Sequence, residues 1–156
     1  MSETFDTRCT FEYEYPTGTT YAGEYCVDES SGEQLFHGIG TLTFHNNDTY
    51  SGEFSKDEMH GVGTYCYNCG DKYHGGFSND KFDGIGKYQY KDGAVFKGKF
   101  RNDMRVGKFV IAENGKLYET ILQDDVEVTG SRKEISPEDI TSGKYRKLSI
   151  LSEGDI

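Results

Sequence analysis

Three lines of sequence decide the fold: Tyr50-Ser-Gly-Glu-Phe54 with His60-Gly-Val-Gly63 and Thr64-Tyr-Cys-Tyr67; Tyr73-His-Gly-Gly-Phe77 with Asp83-Gly-Ile-Gly86 and Lys87-Tyr-Gln-Tyr90; and Phe96-Lys-Gly-Lys-Phe100 with Val106-Gly-Lys-Phe109. Their first residues stand at 50, 73 and 96, a period of 23. A fixed period in this range is the mark of a stacked repeat array. Within each line, aromatic residues alternate with polar ones at period two, the pattern of a strand with one buried face. Each line therefore reads as a hairpin. Tyr50, Gly52 and Phe54 face one way, and Gly63, Tyr65 and Tyr67 face the same way on the second strand. The glycines at 52, 75 and 98 then read as places where a neighbouring ring lies over bare backbone.

Working outward, Tyr21-Ala-Gly-Glu-Tyr25 opens an earlier repeat, stretched to 29 residues by a polar insertion after Cys26. Residues 10–20 read as the second strand of an incomplete repeat, and residues 1–9 as a loose start. Gly70 and Gly93 mark the links between repeats, with Asn47 in the same slot of the preceding one, the other residue that tolerates a left-handed backbone. The repeat from Phe96 runs one residue short and lacks its second glycine. The phrase ends near residues 118–122 as a capping strand, so the array covers 10–122. Residues 123–156 follow as linker and tail, with a short helix expected from Ser136, which has Pro137 behind it and acids in the first turn. The fold class is all-β, a single layer of hairpins with a mostly irregular C-terminal tail.

Composition fits this thin architecture. The 156 residues include 12 Tyr, 10 Phe, 20 Gly and no Trp, and mean hydropathy is −0.74. Burial must come from rings rather than from an aliphatic interior. Net charge is −10, spread as −10 over residues 1–60, +4 over 61–116 and −4 over 117–156. Such acidity speaks against nucleic acid as a partner. With no signal-like start and no long apolar run, the expected location is cytoplasmic, at cytoskeletal or membrane-associated structures.

The phrase Tyr-x-Gly-Glu-Phe followed by His-Gly-x-Gly-Thr-aromatic resembles the MORN repeat (membrane occupation and recognition nexus) over residues 10–122. The Trp usual near the end of the first strand is replaced by Tyr25, Phe54, Phe77 and Phe100. The resemblance implies an elongated, twisted antiparallel sheet with an aromatic groove, acting as a scaffold that binds proteins and in some members meets membranes.

A single layer leaves rings partly exposed, and contiguous aromatic surface marks a binding groove. The expected partner-binding set is Tyr21, Tyr25, Tyr50, Phe54, Tyr65, Tyr73, Phe77, Tyr88, Phe96 and Phe100, taking a peptide or helix of a partner protein. The alternative is an anionic partner or phosphoinositide on the basic cluster Lys97, Lys99, Arg101, Arg105 and Lys108. The charge asymmetry also suits a homodimer. Cys66-Tyr-Asn-Cys69 is the weak candidate for a metal, lacking the second pair of ligands zinc requires. No nucleophile–base grouping or nucleotide motif is present, so no cofactor and no catalysis are expected.

Overall fold

A computed structural model describes residues 10–140 and Ser142. It contains β1 (Thr10–Glu14), β2 (Thr20–Val27), β3 (Gln34–Thr43), β4 (Thr49–Ser55), β5 (Glu58–Cys66), β6 (Lys72–Ser78), β7 (Lys81–Gln89), β8 (Val95–Arg101), β9 (Met104–Glu113), β10 (Lys116–Gln123), β11 (Val126–Glu127), β12 (Lys133–Ile135) and α1 (Pro137–Asp139). The strands form one open sheet in sequence order from β1 to β11, each antiparallel to the next, with β12 also on β10. The hairpin array read from the 23-residue period is the fold.

Two kinds of turn alternate along it. Within a repeat the strands are joined by two residues with positive φ: Lys56-Asp57, Asn79-Asp80 and Asn102-Asp103. Two successive left-handed residues are what a tight antiparallel hairpin needs to follow the twist of its strands, and Asn and Asp tolerate them. Between repeats a five-residue turn carries Gly70 and Gly93 at φ 103° and 94°, and Asn47 at 66° in the equivalent place. The substitution of Asn for Gly follows from that shared conformation.

The ladder slips once in each repeat, between Gly52 and Glu53 and again between Gly75 and Phe77, where the second strand has bulged. Past the slip, Phe54 faces Met59 and Phe77 faces Phe82, so rings from both strands meet on one face. That face holds the main core, including Tyr21, Phe36, Tyr50, Phe54, Met59, Tyr73, Phe77, Phe100 and Phe109. Edge-to-face contacts run through the array: between repeats Phe54 lies 5.2 Å from Tyr21 and Phe77 4.8 Å from Tyr50, and within a strand Phe54 lies 5.0 Å from Tyr50 and Phe77 5.2 Å from Tyr73. Such pairs add about 0.5–1.5 kcal/mol each beyond their area.

The covering ring at the glycines differs from the sequence expectation. Over Gly52 it is the strand's own Tyr50, two residues back, that lies along the backbone. Its hydroxyl donates to the Glu53 carbonyl at 2.7 Å. A Cβ on Gly52 would stand 2.6 Å from that hydroxyl and 2.5 Å from the Gly63 Cα. Tyr73 does the same over Gly75. Of the glycines at 52, 75 and 98, Gly98 alone takes its ring from a neighbouring strand, from Phe109.

The C-terminal end departs from a bare linker. Within residues 123–134 the chain forms β11 and enters β12, both on the free edge of β10. Val110 and Ile135 pack there with Leu117 and Ile140 as a second small core on the opposite face. The helix α1 opens at Ser136 with a reciprocal cap to Asp139. The tail at 144–151 lies outside the described residues.

Candidate functional site

The ten rings expected to line a groove fall into two sets by exposure, and all of the sealed ones stand on first strands of the repeats. Tyr21, Tyr50, Phe54, Tyr73, Phe77 and Phe100 are no more than 3% exposed, so these six form the core and offer a partner no surface. They close over one another with help from the second strands: Tyr21 lies flat on Phe36 at 3.7 Å and Tyr73 on Phe82 at 3.8 Å, and in the repeat of Tyr50 the equivalent place is held by the buried Met59. Tyr25, Tyr65, Tyr88 and Phe96 are half-buried. Joining them at that level of exposure are Phe44, Tyr67, Phe82 and Tyr90.

Phe44, Tyr65, Tyr67, Phe82, Tyr88 and Tyr90 share a trough that crosses the strands, while Tyr25 and Phe96, both expected in the groove, line neither of its cavities. One cavity of about 540 Å³ is lined by Leu42, Phe44, Met59, Tyr65, Tyr67 and Phe82, with Asp57, Asp80 and Asp103 on its rim. A second, of about 300 Å³, continues from Tyr67, Phe82 and Asp103 to Tyr88, Tyr90, Arg105 and Asp125. Tyr65 and Tyr67 stand 4.7 Å apart, and Tyr88 and Tyr90 4.8 Å apart, each pair tilted into a small aromatic step.

Two sets of carboxylates hold this surface. At one end of the repeats, the Asp48 carboxylate accepts from the Asn68 backbone N–H at 2.8 Å and from the Tyr65 hydroxyl at 3.1 Å. Asp71 does the same for Lys91 and Tyr88, at 3.0 Å each. Burial and the adjoining carboxylate push the Tyr65 and Tyr88 hydroxyls well above the ordinary tyrosine range. The backbone N–H of Asn68 leads the bonds that hold Asp48 below the ordinary carboxylate value. At the other end, Asp57, Asp80 and Asp103 sit second in the tight turns. Each accepts from a backbone N–H of the preceding repeat, Phe36, Met59 and Phe82 respectively, at 2.7–2.8 Å. The same three aspartates donate their own N–H groups back to those residues' carbonyls. The sequence reading missed this clamp, although a carboxylate recurring at 57, 80 and 103 carries the same 23-residue signal as the rings.

The basic cluster is split between the two faces. Lys97, Lys99 and Arg101 alternate with Phe96, Gly98 and Phe100 on β8 and so point away from the trough. Lys108 is on that same outer face and pairs with Glu119 at 2.8 Å. Arg105 stands on the ring face because it pairs with Phe100. Its guanidinium lies 4.9 Å from the Phe96 centroid and its Nε donates to Asp125 at 2.6 Å. The outer face gathers other cations: Lys87 is directly opposite both His74 and Lys97. A cavity of about 290 Å³ there is lined by Thr64, Lys72, His74, Lys87 and Gln89. Cys66 and Cys69 carry free thiols, one half-buried and one exposed. No group of three or more His, Cys, Asp or Glu among the described residues is placed to hold a metal ion.

The MORN-repeat family model matches residues 35–49, 50–72, 73–95 and 96–108, in step with the hairpins of the sheet. The chain belongs to the MORN-repeat family. No curated protein matches it. The family boundaries at 50, 73 and 96 coincide with the aromatic openings of β4, β6 and β8. MORN repeats are binding modules associated with protein and membrane interaction. No helix among the described residues is long and apolar enough to cross a membrane.

Proposed function

We propose that this MORN array is a non-catalytic scaffold that binds a segment of a partner protein along its aromatic trough. The observation that carries the reading is the continuity of the two cavities through Tyr67, Phe82 and Asp103. Rings at repeat spacing give an apolar floor, and tyrosine hydroxyls and carboxylates give polar edges. Recognition surfaces have this construction, an aromatic centre with a hydrogen-bonding rim. The rings that do the work are Phe44, Tyr65, Tyr67, Phe82, Tyr88 and Tyr90, with the six sealed first-strand rings holding them in place.

The test is selection of peptides from a random displayed library on the full chain. Selected peptides are expected to bind wild type and to lose at least tenfold in affinity for Tyr67→Ser/Tyr90→Ser, whose circular dichroism stays unchanged. Peptides that bind both proteins equally would refute the trough.

A second reading is favoured by the cations of the outer face, where Lys72, Lys87 and Lys97 stand close together in an acidic chain. Here the module would meet an anionic lipid surface as a peripheral adaptor. Saturable co-sedimentation with phosphoinositide vesicles at physiological salt, abolished by Lys97→Glu/Lys99→Glu and kept in Tyr67→Ser/Tyr90→Ser, would establish it. Self-association of the acidic residues 1–60 with the basic 61–116 region of a second copy would appear as a concentration-dependent sedimentation coefficient. A cytoplasmic setting suits all of these.

A further inference from the structure

We infer that the trough takes an extended, cationic segment, with Lys or Arg side chains recurring along one edge at the spacing of the repeats. The inference rests on the trough being the binding surface and names the chemistry of what fills it.

The rim is the first argument. Asp57, Asp80 and Asp103 are exposed and hold equivalent places in successive hairpins. Each spends one carboxylate oxygen on a backbone N–H and has no partner for the other among the described residues. The row of carboxylates therefore looks onto aromatic faces with unused acceptors. Aromatic faces and carboxylates both attract cations, and each gains strength when water is excluded.

The protein supplies its own example at the far end. Arg105 occupies the position that Phe36, Met59 and Phe82 hold in the earlier repeats. Its guanidinium lies over Phe96 at 4.9 Å, donates to Asp125 at 2.6 Å and reaches the Tyr90 hydroxyl at 3.5 Å. Ring, carboxylate and phenol hold one arginine. At Asp80 and Asp103 the same kinds of group face an open cavity.

Spacing selects the backbone of the guest. Neighbouring rim aspartates are two strands apart, about 9.5 Å at the usual inter-strand distance. A polyproline II segment advances ~9.3 Å in three residues and returns its side chain to the same edge. A β-strand reverses its side chain at every odd step. A helix is ~10–12 Å across. Cavities of about 540 and 300 Å³ spread over three rungs leave the cross-section of one extended chain. Aromatic grooves commonly take polyproline II segments, whose backbone is already ordered.

The experiment is an anisotropy titration of the full chain at physiological salt with three labelled 15-residue peptides. One repeats Arg-Pro-Pro, one repeats Glu-Pro-Pro, and one has the composition of the first with its arginines gathered at one end. The repeating arginine peptide is expected to bind at least tenfold tighter than either of the others. Asp80→Asn/Asp103→Asn should lower its affinity at least tenfold with an unchanged melting temperature, since Asn keeps both the acceptor oxygen and the tolerance for positive φ. Equal binding of the acidic or clustered peptide, or no effect of the Asn pair, would overturn the inference. Library-selected peptides that need Tyr67 and Tyr90 but carry no cations would also overturn it, while leaving the trough itself in place.

Discussion

The repeats opening at Tyr50 and Tyr73 and the one opening at Phe96 share a frame but solve its packing differently. In the first two, a tyrosine lies along its own strand over two facing glycines, Gly52 with Gly63 and Gly75 with Gly86. In the third, Phe109 replaces the second glycine. Its ring covers Gly98, and a Cβ there would meet it at 2.6 Å. Phe109 is fully buried, while Phe96, in the tyrosine's place, stands half-exposed under Arg105. The hydrogen-bonded pair changes as a unit too. Asp48 with Tyr65 and Asp71 with Tyr88 give way to Ala94 with Ile111, where both partners are gone. A buried carboxylate without its phenol, or the reverse, would leave a polar group unsatisfied; losing both does not. Positions in this array vary as physical pairs.

The comparison breaks most visibly at Phe109. Phe109→Gly should cost about 3–5 kcal/mol in urea unfolding, the range for deleting a buried aromatic. Adding Phe96→Tyr should recover most of that loss by restoring the tyrosine-over-glycine arrangement. Additive losses in the double variant would contradict the exchange. Next in size, Gly63→Ala forces a Cβ to 2.4 Å from the Tyr50 ring and should cost about 1–3 kcal/mol. Gly107→Ala has open space around it and should register only the strain of its positive φ of 81°.

Smaller again is the phenol–carboxylate pair. Tyr65→Phe should lose about 1 kcal/mol, whereas Ile111→Tyr should gain nothing until Ala94→Asp supplies the acceptor. Thermal melts of the two single variants and the double would show the coupling. The smallest effect is acid sensitivity. Asp48 is held below the ordinary 3.8, with the backbone bond from Asn68 as the chief cause. Its contribution is full above that unfolded value and drains away as pH falls through the lowered folded one. Between pH 5 and pH 3 the melting temperature of wild type should therefore fall further than that of Asp48→Asn. Parallel curves would remove Asp48 from the account.

The hairpins, turn glycines and Asn47 were legible because backbone conformation restricts which residues fit, and the restriction recurs every 23 residues. Which rings are buried was not. Tyr50 and Tyr65 face the same side with the same alternation, and only the packing of a further apolar side chain from the second strand, Phe36, Met59 or Phe82 in successive repeats, seals one set and leaves the other open. The face of Arg105 was hidden for a related reason. A ladder slip between Gly98 and Lys99 restores Arg105 to the ring side opposite Phe100, so counting alternate residues across the hairpin misplaces it. The aspartate clamps were present in the period but carried no reading, since nothing in the chain announces that a turn will dock on a strand of the preceding repeat.

The central claim is that the second-strand rings form the contact surface. Its most direct measurement is an NMR titration of the full chain with a library-selected peptide, following ring signals of Tyr67, Phe82, Tyr88 and Tyr90 against backbone signals of Thr64, His74, Lys87 and Gln89. Saturable shifts confined to the four rings and the rim aspartates are the predicted result. Shifts confined to the Thr64–Gln89 face, with the rings unmoved, would contradict it.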